Sequence, residues 1–121
     1  YMIKNGGGSI VNTSSMYGLV GAPNSFAYTA SKGAINQMTR TLSLAYAENN
    51  IRVNAIAPGF VDTAILSGVP DEYKKIMAKD MPIGRLGTDD EIATLVKFLL
   101  SEESSFMTGA IISIDGGYTA K

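Results

Sequence analysis

The sequence predicts an α/β fold in which helices pack on a parallel sheet. Three short apolar stretches, near residues 9–14, 51–57 and 110–115, have the length and composition of buried strands. Two longer stretches with apolar residues at helical spacing, near 25–47 and 89–101, lie between them. Strands that alternate with helices along a chain are typical of parallel sheets with right-handed crossovers. No repeat or linker divides the 121 residues, so we expect one domain.

Each predicted strand ends in polar or glycine-rich sequence. The first lies in "GGGSIVNTSS", where small polar residues follow Ile10 and Val11. The second lies in "NIRVNAIAPG", where apolar residues alternate up to Pro58 and Gly59. The third lies in "GAIISIDGG" and stops at two glycines. Functional groups collect beyond the carboxyl ends of the strands in open parallel sheets. We therefore expect a site where "NTSS", "APGFVDT" and "DGGY" meet.

The first predicted helix covers about residues 25–47, and Asn24 or Ser25 is expected to cap its start. Small residues lie on more than one side of this helix, so we expect one side to meet the sheet and another to meet a partner subunit. The apolar positions at helical spacing are Ala30, Ala34, Met38, Leu42 and Ala45.

Two features precede the last predicted helix. The stretch from residue 64 to 81 contains a short amphipathic helix near 71–79 and is expected to cover the substrate. Its apolar residues are expected either to face an apolar or amphipathic substrate or to close against the body of the protein: Ile65, Leu66, Val69, Tyr73, Ile76 and Met77. Thr88 and Glu91 then have the spacing of a capping box, in which side chain and backbone cap each other at a helix start.

The composition excludes several classes of function. The chain has no cysteine and no histidine, so it forms no disulfide and no Cys/His zinc site, and we expect no metal. Without imidazole, acid–base chemistry near neutral pH must use Tyr, Lys, Asp or Glu. A net charge of −1 without a basic run argues against nucleic acid, and the apolar runs are too short for a membrane span. A reducing cytoplasm is the expected location.

The candidate acid–base pair is Tyr28 with Lys32, in "YTASK". Residues four apart on a helix have Cβ atoms about 5–6 Å from each other, so the two side chains share a face. An ammonium group at this distance favours the ionised phenol. The small neighbours in "AYTASKGA" would let a flat ligand approach the helix closely. The spacing alone is weak evidence, because an ordinary exposed helix pair explains it equally well.

Four blocks taken together are more specific. "NTSS", "YTASK", "RVNAIAPGFVDT" and "IDGG", with Ser15 and Tyr28 separated by 13 positions, resemble the short-chain dehydrogenase/reductase family over nearly all of the chain. "MPIGRLGTDDEIA" and the residues that follow are similar to glucose dehydrogenases and 3-oxoacyl-carrier-protein reductases. The resemblance implies the carboxyl half of a doubly wound parallel-sheet Rossmann fold. It also implies an oxidoreductase that interconverts an alcohol and a ketone by hydride transfer with NAD or NADP.

The resemblance implies a role for each matching residue. Tyr28 matches the general acid/base. Lys32 matches the residue that assists it and binds the nicotinamide ribose. Ser15, which the spacing prefers over Ser14, matches the hydroxyl that positions the substrate oxygen. The cofactor-binding residues implied are Tyr28, Lys32, Pro58, Gly59, Val61 and Thr63. Asp115, Gly116 and Gly117 are expected to be structural, and Tyr17, Tyr46, Tyr73 and Tyr118 to be packing or substrate-facing residues.

Part of the family pattern is absent from these residues. "GGGS" precedes a strand, whereas a dinucleotide phosphate loop follows a strand and opens a helix. The residue that selects NAD or NADP and the catalytic asparagine are also missing. We therefore expect residues 1–121 to be a partial dinucleotide-binding and catalytic domain that lacks its amino-terminal half and is inactive alone.

Two readings of the chain's function follow. In the first, the complete protein acts on a small-molecule alcohol or ketone as a homodimer or homotetramer. The substrate stays open among sugars, acyl carriers, steroids and small cyclic alcohols. In the second, the chain is a non-enzymatic truncated fragment that acts at most as an association module.

Overall fold

The computed structural model describes all 121 residues, and its sheet has three parallel strands. These are β1 (Gly8–Thr13), β2 (Ile51–Pro58) and β3 (Ile111–Ile114), in the spatial order β1-β2-β3. Gly8 of β1 is in register with Ile51, and Ala55 with Ile111. The predicted parallel sheet is confirmed.

Three α-helices accompany the sheet: α1 (Phe26–Tyr46), α2 (Asp71–Asp80) and α3 (Asp89–Leu100). All three lie where the sequence pattern predicts them. The predicted side-chain cap of α1 is wrong, however. Ser25 occupies the N-cap position without a capping hydrogen bond, and Asn24 adopts a left-handed turn conformation with φ 63°. A turn residue held in that conformation redirects the chain into the helix without capping it.

The helices α1 and α3 cover opposite faces of the sheet. The amide Nδ2 of Asn12 donates to Thr39 Oγ1 on α1 at 3.0 Å, whereas the hydroxyl of Ser9 donates to the carbonyl of Leu99 on α3 at 2.8 Å. Residues an odd number of positions apart in a strand point to opposite faces, so these two bonds mark the two covered faces. This layering is that of a doubly wound α/β fold.

The central strand β2 forms the core and contains one fully buried polar residue. Val53, Ala55 and Ala57 are completely buried, as expected for a strand covered on both sides. Asn54 is buried too, and both polar atoms of its amide are hydrogen-bonded: Nδ2 donates to the carbonyl of Met107 at 2.8 Å, and Oδ1 accepts from the N–H of Ala110 at 3.0 Å. The side chain therefore fixes the segment that leads into β3 without leaving a buried polar atom unpaired.

The buried side of α1 is not its most apolar side. The fully buried residues of α1 are Asn36, Thr39 and Ser43. Of the apolar positions predicted from spacing, only Leu42 is half-buried and the others are exposed. Thr39 and Ser43 tolerate burial because their hydroxyls bond to nearby backbone: Thr39 Oγ1 donates to the carbonyl of Ile35 and Ser43 Oγ to that of Arg40, both at 2.8 Å. Asn36 Nδ2 donates to the carbonyl of Gly18 at 2.8 Å, and the buried Oδ1 of Asn36 has no hydrogen-bond partner. The exposed side of α1 combines small residues with large side chains that include Phe26, Met38 and Leu44.

The predicted capping box at the start of α3 is present. Thr88 Oγ1 accepts from the N–H of Glu91 at 3.3 Å, and the N–H of Thr88 donates to Glu91 Oε2 at 2.9 Å. Arg85 forms a salt bridge with the same carboxylate, from Nη2 to Oε1 at 2.6 Å. The guanidinium, with the Thr88 N–H, lowers the pKa of Glu91 to about 2. The box thus holds a carboxylate at the helix N-terminus, where the helix dipole favours negative charge.

Replacing Thr88 by alanine should lower the free energy of unfolding by about 1 kcal/mol, because the substitution removes the acceptor for the Glu91 N–H. Thr94→Ala is the matched control. Thr94 lies on the same helix and its hydroxyl only donates to the carbonyl of Asp90 within the helix, so the change should be within about 0.5 kcal/mol. Urea unfolding of both variants measures the difference. Equal losses in the two variants would contradict a special role for the cap.

Candidate active site

The carboxyl ends of the three strands lie side by side and form one edge of the sheet. The N–H of Ser14, just beyond β1, donates to the carbonyl of Ile56 at 2.8 Å. The N–H of Gly59, just beyond β2, donates to the carbonyl of Ile114 at 3.1 Å. The loops that follow the strands are thereby fastened to one another, and the structure brings the predicted segments together.

Ser14 and Ser15 have different surroundings although both are buried. The hydroxyl of Ser14 donates to the carbonyl of Lys32 at 3.1 Å and ties the loop to α1. Ser15 Oγ accepts from the N–H of Tyr17 at 3.1 Å, which begins a short 3-10 turn over Met16–Gly18. The Ser15 hydroxyl can still donate a hydrogen bond while its oxygen is held in place. Ser14 therefore has a structural contact, and Ser15 retains a donor for a ligand.

Tyr28 and Lys32 lie together near the start of α1, beside the end of β1. Lys32 Nζ lies 5.6 Å from the centroid of the Tyr28 ring. The same ammonium donates to the carbonyl of Thr13, the last residue of β1, at 2.9 Å. The strand end thus holds the cation next to a phenol that is 48% exposed and open to a ligand. The ammonium of Lys32 and the phenol of Tyr28 thus lie together at the edge of the sheet where the strands end.

The four predicted loop residues follow one another out of β2. Pro58 ends the strand, and Gly59 packs so closely on the next loop that a Cβ there would lie 2.8 Å from the Cα of Asp115. Val61 pairs with Gly87 in an isolated parallel bridge. Thr63 precedes the 3-10 turn over Ala64–Leu66 and is half-buried. The close approach at Gly59 explains why this position requires glycine.

The stretch expected to cover the substrate is attached to this loop by an ion pair. Lys74 Nζ of α2 lies 2.8 Å from Asp62 Oδ1, between Val61 and Thr63. The apolar residues expected to face the substrate or the body of the protein are largely in contact with solvent: Ile65 is 89% exposed, Tyr73 61% and Ile76 57%. Leu66, Val69 and Met77 of the same stretch are half-buried, so part of its apolar surface packs against the chain and part is open to solvent.

Asp115 is a turn-forming residue. Its Oδ1 accepts from the N–H of Gly117 at 3.0 Å, and its Oδ2 accepts from the N–H and the hydroxyl of Thr119 at 2.9 and 2.6 Å. Burial by itself would raise the pKa of this carboxyl, but the hydrogen bonds from Thr119 and Gly117 lower it overall. The expected structural role of Asp115 agrees with these contacts.

An aromatic cluster beside Ser15 was not predicted as a unit. The ring of Tyr17 packs edge-on against Phe60 and against Tyr118, with centroids 6.0 Å apart in each pair. Burial, assisted by the neighbouring phenol of Tyr118, raises the pKa of Tyr17 to about 12. Phe60 directly follows Pro58 and Gly59, which is the one sequence signal that could have pointed to it.

A large cleft lies between α3 and the loop after β3. It has a volume of about 670 Å³, and its apolar lining includes Phe60, Ile92 and Leu95. None of Ser15, Tyr28 and Lys32 lines it. The structure contains no group of three or more Asp or Glu residues that could hold a metal ion, and no helix is long and apolar enough to cross a membrane.

Comparison with known proteins supports the resemblance seen in the motifs. A family model described as enoyl-(acyl carrier protein) reductase matches residues 1–119. The chain is 46% identical over 120 residues to cis-4-hydroxycyclohexanecarboxylate dehydrogenase of Sinomonas cyclohexanicum, covering 99% of this chain and 48% of that protein. It is 45% identical to the 3-oxoacyl-[acyl-carrier-protein] reductase FabG of Thermotoga maritima, covering 97% and 48%.

Solved structures give the same result. A short chain dehydrogenase family protein from Francisella tularensis, 49% identical, superposes with a TM-score of 0.86 over 93% of this chain and 51% of that one. ElxO with NADP bound, 36% identical, superposes with a TM-score of 0.93 over 99% and 50%. The chain spans about half the length of these relatives, and its sheet and flanking helices match half of their Rossmann fold. The chain therefore belongs to the short-chain dehydrogenase/reductase family.

Proposed function

We propose that these residues form the proton-transfer half of an NAD(P)-dependent oxidoreductase that interconverts an alcohol and a ketone. The observation that supports this most strongly is the position of Lys32, whose ammonium is bonded to the end of β1 and lies 5.6 Å from the Tyr28 ring. A site built from Tyr, Lys and Ser suits hydride transfer to and from a carbonyl carbon, since these side chains can handle the proton while a cofactor handles the hydride.

In this proposal Tyr28 donates a proton to the carbonyl oxygen during reduction and accepts one from the alcohol during oxidation. The Ser15 hydroxyl holds the same oxygen by a hydrogen bond. Lys32 stabilises the ionised phenol by its charge. When bound, the nicotinamide cofactor supplies or accepts the hydride.

The residues present fit the nicotinamide end of the cofactor. The ammonium of Lys32 uses one of its three donors on Thr13 and can offer the others to ribose hydroxyls. Pro58, Gly59, Val61 and Thr63 form a loop at the same edge of the sheet. A dinucleotide's pyrophosphate is typically held at a helix N-terminus after a glycine-rich strand end, which these residues do not provide. NAD and NADP are both compatible with this set of residues, and one structural relative is described with NADP bound.

We further propose that residues 1–121 are part of a larger domain. β1 pairs only with β2 and leaves its other edge open to a further strand. An amino-terminal half pairing there would complete the Rossmann sheet. The alternative is a non-enzymatic fragment that at most associates with another chain. The coding sequence upstream of Tyr1 separates the two, since a continuing reading frame with a glycine-rich loop supports the enzyme and a start codon at this point supports the fragment.

The complete protein is proposed to act in the cytoplasm on a small-molecule alcohol or ketone, as a homodimer or homotetramer. The exposed side of α1 supports the assembly, because it combines small residues with the exposed side chains of Phe26, Met38 and Leu44. Light scattering at micromolar concentration should give the mass of a dimer or tetramer. A monomeric mass would contradict this part of the proposal.

Tyr28→Phe should lower kcat of the complete enzyme by about 10²–10⁴-fold and leave cofactor affinity nearly unchanged, because it removes the proton donor and little else. Tyr46→Phe is the matched control, being the same substitution on the same helix, and should keep kcat. Steady-state kinetics with cofactor fluorescence titration measure both quantities. A Tyr28→Phe variant with the kcat of the unmodified enzyme would show that Tyr28 is not the acid.

Gly18→Ala should impair the site by displacing the serine loop from α1. A Cβ at this position would lie 2.6 Å from Ser14 Oγ and 2.8 Å from the carbonyl oxygen of Lys32, so the loop must move. Overpacking of this kind costs about 1–3 kcal/mol, and kcat should fall at least about tenfold. Gly21→Ala, in the same loop, meets nothing within 4 Å and should have little effect. Thermal melts and kinetics of both variants provide the test, and equal behaviour of the two would contradict the prediction.

A further inference from the structure

We infer that Arg85 and Glu91, called the positioning pair below, hold the loop after β2 in place and thereby set the affinity for the nicotinamide end of the cofactor. This inference rests on the proposed function, which assigns that loop to the cofactor. Neither side chain is proposed to touch the cofactor, so each acts through the backbone of residues 86–88.

The loop after β2 is bonded to Gly87 on both sides of Val61. The N–H of Gly87 donates to the carbonyl of Phe60 at 2.9 Å, and the N–H of Asp62 donates to the carbonyl of Gly87 at 2.9 Å. These two bonds form the isolated parallel bridge between Val61 and Gly87. A shift of Gly87 must therefore break the bridge or move Val61, which is one of the proposed cofactor-binding residues.

The backbone around Gly87 is held in turn by the positioning pair. The guanidinium of Arg85 is bidentate toward Glu91, with Nη1 donating to Oε2 at 3.0 Å and Nη2 to Oε1 at 2.6 Å. Nη1 also donates to the carbonyl of Leu86 at 3.0 Å. Glu91 Oε2 accepts from the N–H of Thr88 at 2.9 Å. One peptide group before Gly87 and one after it are thus bonded to the pair.

These two peptide groups connect the positioning pair to the loop. The peptide group before Gly87 accepts from Arg85 at its carbonyl and donates to Phe60 from its N–H. The peptide group after Gly87 accepts from Asp62 at its carbonyl and donates to Glu91 from its N–H. A peptide group is planar and resists twisting, so a constraint on one of its ends also orients the other. The positioning pair therefore orients both bonds that hold the loop.

The exposure of the positioning pair argues for orientation and against a main role in stability. The side chains of Arg85 and Glu91 are 52% and 42% exposed, and ion pairs in contact with water add little to the free energy of unfolding. A bidentate guanidinium–carboxylate pair nevertheless fixes direction as well as distance. With a pKa of about 2, Glu91 stays ionised near neutral pH, so the pair persists under assay conditions.

The test compares Glu91→Gln with Asp90→Asn in the complete protein. Both substitutions remove one negative charge from the first turn of α3, but only Glu91 is bonded to Arg85 and Thr88. Glu91→Gln should weaken binding of NADH or NADPH about 3- to 30-fold, as changes within a bonded network do. Binding of ADP-ribose, which lacks the nicotinamide, should be unchanged. Asp90→Asn should leave both affinities unchanged, and fluorescence titration and calorimetry measure them.

A double-mutant cycle tests whether the two side chains act as a unit. Arg85→Ala should weaken NADH or NADPH binding about as much as Glu91→Gln, and the double variant should lose no more than either single variant. Additive losses would contradict a shared role of the pair.

A further readout needs no cofactor. The amide hydrogens of Gly87 and Asp62 form the two bridge bonds, so in cofactor-free protein they should exchange with solvent faster in Glu91→Gln than in Asp90→Asn. If exchange accelerates in this way but the unmodified protein binds neither NADH nor NADPH, the proposed function fails and the positioning of the loop stands. Unchanged exchange at both amides would overturn the inference. Equal losses of affinity for ADP-ribose and for the complete cofactor would overturn it as well, because they would indicate general destabilisation.

Discussion

The arrangement of the site depends on how Lys32 is held between helix and sheet. Its ammonium donates to the carbonyl of Thr13 at the end of β1, and its own carbonyl accepts from the hydroxyl of Ser14. Gly18 lies against the same carbonyl, where a side chain would not fit. These contacts fix the first turns of α1 relative to the serine loop. Because Tyr28 lies one helical turn before Lys32, its phenol is placed at the same strand end by the geometry of the helix.

A second set of contacts, made by side chains of β2, positions α3 and β3 relative to the central strand. Arg52 donates to the carbonyls of Leu99, Ser101 and Met107, so it binds the end of α3 as well as the segment before β3. A cation at a helix C-terminus also interacts favourably with the helix dipole. Asn54 reaches the same segment through its amide. Two polar residues on one face of a central strand thereby position α3 and β3, whereas the other face of β2 is purely apolar.

Local pattern was sufficient to predict much of the fold. The three strands, the helices and the capping box of α3 each have a signal that lies within a few residues. The buried side of α1 was not predictable in this way, because Asn36, Thr39 and Ser43 bury polar atoms that mostly bond to nearby backbone, while alanines on the other side stay exposed. The spacing of apolar residues along a helix does not indicate which of its sides the small residues occupy. The predicted cap at Ser25 failed because a left-handed turn at Asn24 sets the helix start instead.

The candidate site was likewise predictable from the sequence only in part. Ser15, Tyr28 and Lys32 were identified by spacing and by resemblance, and the structure adds what each of them contacts. The aromatic cluster depends on contacts between positions 17, 60 and 118, which no local pattern encodes, so it emerges only when the chain is folded. The distinction between Ser14 and Ser15 likewise needed the bond from Ser14 to α1.

The two bonds of Asn54 have a consequence for the synthesis of the protein. They join this residue to positions that lie 53 and 56 residues later in the chain. A ribosome adds roughly 5–20 residues per second, so β2 spends several seconds with its second edge and this buried amide without their final partners. The entropy lost in closing so long a loop is not compensated until the final contacts form, so this step is slow. Meanwhile the exposed edge of β2 can pair with other nascent chains. Demand for chaperones during translation should therefore be greatest between the emergence of β2 and that of β3.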